Sequence, residues 1–387
     1  MLANTDNNKT TANNVWDAKT QTFHGGQEHR FINNFVEDFS VTTNYLGTPC
    51  KALEAAKEAI SDIHHYPAAN QEPAKSCLAE FLWGSGYREH HGRLLMGNGA
   101  SELIDLVVRK ALLSCEQRNI KKPTWKGSPW NVQVGNVEGR EYQRSAETNG
   151  FEILDPANPE KADMICIVNP CNPTGDYFSV EPLKKWIRDN VKSNGCVIVD
   201  ESMQPWHSAD FRNDSLISEH AYTREMFEKE GVSVHVMHSW TKIWSCTGLR
   251  VGSVICPTAQ HCEALRKIQV PWSVNGPALK FVETVVNDDE YLQKTWSNTT
   301  RLRAWLIEQL KSLGHLDWEY HGKAFLSWVW LDMKNEDLAE KAIDLARAAG
   351  VPVRSGKPGY QCNSFVRVAV RRESEVQVLI DAWKSLE

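Results

Sequence analysis

Lys242 stands in "MHSWTKIWSCTGLRVG" (237–252), between two tryptophans at the end of an apolar run. A lysine drawn into apolar surroundings is costly unless its charge is paired or its amine is neutral. Alone, it would as readily snorkel out of a loop. Other stretches change that reading. "GNGASELIDLVVRKALL" (97–113) leads small residues straight into an amphipathic helix. The backbone N–H groups of Gly99, Ala100 and Ser101 would then face an anion, with the helix dipole behind them. "VNPCNPTGDY" (168–177) sets two Asn-Pro pairs and a Thr-Gly after a buried strand, a stiff turn with its amides in set places. "IVDES" (198–202) leaves Asp200 at the carboxyl end of a strand, where a plainer reading is a helix cap.

These features complement one another. A phosphate would be held by the helix start, Ser239 and Arg250, while Asp200 pairs with a cationic ring nitrogen. The Lys242 amine would capture an aldehyde. One ligand with those three groups is pyridoxal 5'-phosphate (PLP), a cofactor carried on a lysine with an acidic partner at the ring nitrogen.

The elements needed to position these residues are those of an α/β chain. "ADMICIV" (162–168) reads as a parallel strand buried on both faces, and "EPLKKWIRDNVKSNG" (181–195) as a helix stopped by glycine. "CVIVD" (196–200), "VSVHVMHS" (232–239) and "RVGSVIC" (250–256) are further strands. Each proposed ligand falls at a strand end, where open α/β sheets bind small molecules. "PCKALEAAKEAISDI" (49–63) is helical. After about residue 270 a long helix, the strand "AFLSWVWLDM" (324–333), another helix, "VPVRSG", "SFVRVAV" and a last helix make a smaller α+β unit. The expected organisation is a disordered segment over 1–20, an arm over 21–60, a large domain over 61–270 and a small domain over 271–387.

Composition narrows the partners. With 41% hydrophobic and 24% charged residues in 387, the chain is an ordinary globular one. Its net charge of -6, with no basic stripe, argues against nucleic acid. No apolar stretch is long enough to span a membrane, and the polar start has no secretory pattern. The ten cysteines show neither a CxxC pair nor metal-site spacing, which suits a reducing cytoplasm and no metal.

The order "GNGASEL", "NPCNPTG", "VDES", "SWTK", "GLRVG" resembles the class I/II aminotransferase family of fold-type I PLP enzymes over nearly the whole chain. The resemblance implies a large domain with a mostly parallel seven-stranded sheet flanked by helices, a small α+β domain, and a homodimer with shared active sites. By motif, it makes Lys242 the cofactor lysine, Asp200 the ring-nitrogen partner and Asn172 a donor to the ring oxygen. Gly99, Ala100, Ser101, Ser239 and Arg250 would hold the phosphate, and Tyr66 in "HHYPAANQ" would reach it from the neighbouring subunit. "FHGG", "EDFSVTTNYLGTP", "PWSVN" and "SFVRVAVR" are similar to the threonine-phosphate decarboxylase branch, close to histidinol-phosphate aminotransferases. That likeness implies Arg367 for the substrate carboxylate and His24, Asn44 and Arg354 for a second anionic group. Arg367 alternates with Val366 and Val368, so it points off the core face.

Three departures bear on the substrate side. Met203 stands where the family often has an aromatic, and cannot donate to the ring oxygen. Gly139 falls where a ring-stacking aromatic is expected, which leaves Trp125, Trp130 or an open face. "GKPGYQCNSF" replaces a short segment before the last arginine. The expected function is a PLP enzyme acting at Cα of a small anionic L-amino acid, with decarboxylation placed ahead of transamination. A β/γ-substitution or carbon–carbon bond formation is a third course. The cleaved bond depends on how the carboxylate is clamped.

Overall fold

The computed structural model describes residues 25–130, 140–357 and 359–386. Two compact units result. The larger is Leu46–Asn172 with Asp176–Ser297; the smaller holds the described residues up to Tyr45, Pro173–Gly175 and the chain from Asn298. The expectations for residues 1–20, His24 and Gly139 lie outside the described residues.

The larger unit is a seven-stranded sheet in the order β1-β7-β6-β5-β4-β2-β3. Its strands are β1 (Leu94–Asn98), β2 (Thr124–Lys126), β3 (Glu152–Leu154), β4 (Ala162–Val168), β5 (Val191–Asp200), β6 (Ser233–Ser239) and β7 (Val251–Ile255). Only β7 runs against its neighbours. All seven residues of β4 are buried, which is why it reads as an apolar run, broken only by Asp163, which pairs with Lys192. Around the sheet lie α1 (Cys50–Glu58), α2 (Ala74–Trp83), α3 (Gly99–Gln117), α4 (Arg140–Thr148), α5 (Val180–Asn190), α6 (His220–Glu230), α7 (Ala259–Ile268) and α8 (Gly276–Val285). Leu103, Ile104 and Val107 of α3 pack with Met164, Cys166 and Ile198 in one apolar cluster.

Two expectations shift. The helix expected to reach Gly195 ends at Asn190, because Val191 already pairs with Ala162 across a bulge and opens β5. The domain boundary expected near 270 falls at 297/298, and residues 46–60 join the larger unit. Helix α8 is the cause: it packs on α1 and α2, so its apolar face is spent in the larger unit.

The smaller unit is an antiparallel sheet in the order β10-β11-β9-β8, formed by β8 (Glu319–His321), β9 (Trp328–Asp332), β10 (Arg354–Ser355) and β11 (Phe365–Ala369). One face is apolar: Val329, Leu331, Val366 and Val368 pack with Leu302 and Leu306 of α9 (Asp289–Lys311), Ala342 of α10 (Glu336–Ala348) and Leu379 of α11 (Glu373–Trp383). The segment at 38–43 is laced to β11. Ala369 N donates to Phe39 O (3.0 Å), and the buried Arg371 guanidinium donates to the carbonyls of Asp38 (2.6 Å), Val41 (2.8 Å) and Thr43 (2.9 Å). Among the described residues no helix is long and apolar enough to cross a membrane. All ten cysteines are free thiols.

Candidate active site

In the larger unit the chemistry-bearing residues collect along one edge of the sheet. Register puts Val168, Asp200 and Met237 on a line across β4, β5 and β6, and Ser239 opposite Gly252. Asn98, at the end of β1, lies opposite Val251 at the start of β7. Hydrogen bonds tie the edge together. Asn169 N donates to Asp200 O (2.8 Å), Ser202 N to Asp200 Oδ1 (2.8 Å), and Ser239 N to Ser202 Oγ (2.7 Å).

Asp200 also accepts from the Tyr142 hydroxyl (2.7 Å). Burial raises the Asp200 pKa above the usual carboxylate range, with the Ser202 and Tyr142 hydrogen bonds pulling the other way. Burial and the Asp200 charge push the Tyr142 phenol well up, so it remains a donor. A carboxylate whose charge is disfavoured in this way is best relieved by a cationic N–H, as a protonated pyridine ring supplies. The Tyr142–Asp200 contact was not legible in the sequence, since the partners are 58 residues apart and a helical tyrosine carries no local signal.

The anion cradle has a steric signature. Gly99 has φ +76°, and a Cβ there would lie 2.4 Å from Arg250 Nη2. A Cβ on Gly252 would lie 2.6 Å from Ala100 N. Both glycines thus let α3, whose first turn has no side-chain cap, begin directly against β7 and the Arg250 guanidinium. The Ser239 hydroxyl pairs with Thr241 Oγ1 at 2.9 Å. Uncapped N–H groups, a serine and a guanidinium fit a phosphate monoester.

Lys242 is half-buried, and its tryptophan neighbours explain how. The chain winds helically here, with Trp244 N donating to Trp240 O (3.4 Å) and Ser245 N to Lys242 O (3.1 Å). Trp240 and Trp244 therefore share a side, stacked at 5.1 Å and buried, and Phe81 packs against both. Lys242, two residues from each, falls on a different side of that turn by helical spacing. The tryptophans anchor the turn, and the lysine is displayed by it.

Other residues sort differently. Asn169 spends its amide closing the turn, donating to Phe178 O and accepting from Phe178 N, each 2.8 Å, while Asn172 is half-buried beyond it. Trp125 lies wholly within the core cluster, which removes it from the ring-stacking alternatives. Trp130 sits at the end of β4, donating to Val168 O (3.1 Å) and packing on Phe178. Met203 is buried. Tyr66 is 79% exposed and stacks on Trp272.

In the smaller unit the face opposite the apolar one carries a row that crosses all four strands. Arg354 is directly opposite Arg367, Arg367 opposite Trp330, and Trp330 opposite His321. Both arginines are buried. Like charges directly opposite each other are destabilising in a sheet, and burial compounds the cost. Burial lowers the Arg367 pKa, Arg354 adds to that, and Tyr360 and Asp38 oppose it. The Arg367 guanidinium donates to Ser40 O, and Asn44 is buried in the same unit. A row of this kind suits recognition of an anion beside an aromatic surface.

Matches to known proteins agree with this geometry. The family described as aminotransferase class I and II matches residues 36–382, and the chain belongs to it. It is therefore an enzyme of a PLP-dependent family. Among curated relatives, histidinol-phosphate aminotransferase 1 of Idiomarina loihiensis is 26% identical over 345 residues, covering 89% of this chain and 87% of the relative. Histidinol-phosphate aminotransferase from Sinorhizobium meliloti, solved in complex with pyridoxal-5'-phosphate, superposes with a TM-score of 0.71 at 16% identity, covering 91% of this chain and 90% of that one. L-threonine-O-3-phosphate decarboxylase from Porphyromonas gingivalis gives 0.69 at 16% identity, covering 90% and 99%. The two structures share the fold; the family assignment carries the cofactor.

Proposed function

We propose that this chain is an aminotransferase of the histidinol-phosphate type, acting on a small amino compound with an anionic group besides, or in place of, its carboxylate. The observation that carries the reading is the buried, in-register Arg354–Arg367 pair. The curated relative named above supports transamination over the decarboxylation expected first from the sequence. When bound, the cofactor supplies electron withdrawal from a bond at the substrate's Cα. Gly99, Ala100, Ser101, Ser239 and Arg250 would hold its phosphate, Asp200 would pair with its ring nitrogen, and Asn172 would donate to its ring oxygen. Lys242 supplies the attaching amine and moves the proton at Cα. Arg367 takes the substrate carboxylate or its equivalent. Arg354 and Asn44 take the second anion, as does His24 by its motif.

Tyr66 belongs to a second part of the proposal. Ile60, Ile63, Tyr66, Val270 and Trp272 are exposed apolar side chains of the larger unit, the kind of surface a second copy covers. We take the enzyme to be a homodimer in a reducing cytoplasm, with Tyr66 reaching its neighbour's phosphate. Light scattering of the holoenzyme should give twice the chain mass of 43.9 kDa.

The test is to mix holoenzyme separately with L-histidinol phosphate, which has no carboxylate to lose, and with O-phospho-L-threonine, following cofactor absorbance, carbonyl product and, for the latter, CO2. Conversion of the cofactor to its amine form with a carbonyl product and no CO2 supports transamination. CO2 release without that conversion overturns it in favour of decarboxylation. Lys242→Ala should lower turnover about a thousand-fold or more and abolish the visible band of the lysine-bound cofactor.

A further inference from the structure

The segment that departs from the family pattern, between β10 and β11, delivers a side chain onto the arginine pair. Its ends are closed by Gly356 N donating to Phe365 O (2.8 Å) and Cys362 N donating to Gly356 O (3.0 Å). A Cβ on Gly356 would lie 2.4 Å from Cys362 O, so this closure requires glycine. Outward, Lys357 Nζ pairs with Glu336 (2.7 Å) and Glu340 (2.5 Å) of α10, and Asn363 Nδ2 donates to Glu336 Oε2 (3.1 Å). Inward, Tyr360 is 7% exposed. Its ring lies 5.0 Å from the Arg354 guanidinium carbon and meets Trp330 edge-on at 5.8 Å. Its phenol lies near enough to Arg367 to act on that guanidinium's charge.

One side chain therefore packs on two members of the cross-strand row and stands near the third. The ring face attracts a guanidinium by its quadrupole, and the phenol oxygen accepts from another. Both interactions would oppose the repulsion between the two arginines.

We propose that Tyr360 is the positioning and specificity-determining residue of the arginine pair: its ring holds Arg354 for the substrate's second anion, and its hydroxyl holds Arg367 for the carboxylate. This rests on the roles given to the two arginines above. The two contacts can be separated. Tyr360→Phe keeps the ring and loses the acceptor; Tyr360→Leu loses both.

The experiment uses holoenzyme, so that the cofactor's own phosphate site is filled. Calorimetric titration with inorganic phosphate should show binding to wild type, unchanged affinity in Tyr360→Phe, and affinity weaker by about ten-fold in Tyr360→Leu. In steady state, Tyr360→Phe should raise KM by a similar factor for substrates with and without the second anion, whereas Tyr360→Leu should lose most on the doubly anionic one. kcat should change less than KM in both. Equal phosphate affinity in wild type and Tyr360→Leu would overturn the proposal, as would a Tyr360→Leu loss that ignores the second anion. If wild type binds no phosphate, the role given to Arg354 fails, and the proposal with it. Should Tyr360→Leu not fold, Tyr360→Phe decides alone: a KM unchanged on every substrate overturns the hydroxyl's role.

Discussion

The two units would meet negative charge by opposite means. The larger unit does so mainly with backbone: an uncapped helix start, two glycines that allow close approach, and strand ends aligned by parallel register. The smaller unit does so with side chains in a row across four strands, two of them arginines of like charge. A backbone cradle suits an invariant ligand, because its geometry is set by the sheet. A side-chain row suits a ligand that differs among relatives, because one substitution or one inserted loop retunes it.

Of the row and the cradle, breaking the row should cost more. Arg367→Ala removes a buried guanidinium, and kcat/KM should fall about a hundred-fold while cofactor absorbance is kept. Loss of cofactor in that variant would mean the two units do not divide the work in this way. Breaking the cradle should give the reverse signature. Gly99→Ala places a Cβ against Arg250 at a positive φ, and cofactor affinity, read by dialysis and absorbance, should fall roughly ten-fold.

A third test concerns the carboxylate beside the cradle. Glu201 is buried, accepts from Ser215 Oγ and Leu216 N (2.9 Å), and burial raises its pKa to about 7. The folded protein then keeps a proton that the unfolded chain has released, so stability falls as pH rises toward about 7 and levels off above it. Neighbouring His238, pushed down to about 3 by burial, contributes with the opposite sign, and only a difference isolates Glu201. Urea unfolding of wild type and Glu201→Gln at about pH 5 and about pH 8 should show wild type losing about 3 kcal/mol more over that rise. No difference would mean that Glu201 is not buried as a neutral acid.

The smallest effect is expected outside both sites. Lys357 holds the Tyr360 loop to α10 through exposed pairs, and Lys357→Ala should change KM by less than about two-fold. A larger change would make the loop's outer anchoring part of substrate recognition.

Much of the larger unit was legible because its signals are local. A small-residue run before a helix, an aspartate closing an apolar strand and a lysine between tryptophans each lie within a few residues. The expected limit of α5 failed where pairing with Ala162 outweighed helical pattern, and the boundary near 270 failed where α8 spent its apolar face on α1 and α2. Tyr142 on Asp200 and Tyr360 on Arg354 had no local signal at all.

The sequence by itself determined the α/β class and the strand-end residues, since hydrophobic period and turn chemistry are written residue by residue. Tertiary structure alone decided which residues face one another across strands. Register sets Arg354 opposite Arg367 and Trp330 beside them, and the folded Gly356–Phe365 loop turns Tyr360 inward onto that row. Such contacts depend on pairing between distant segments, and no spacing within one segment encodes them.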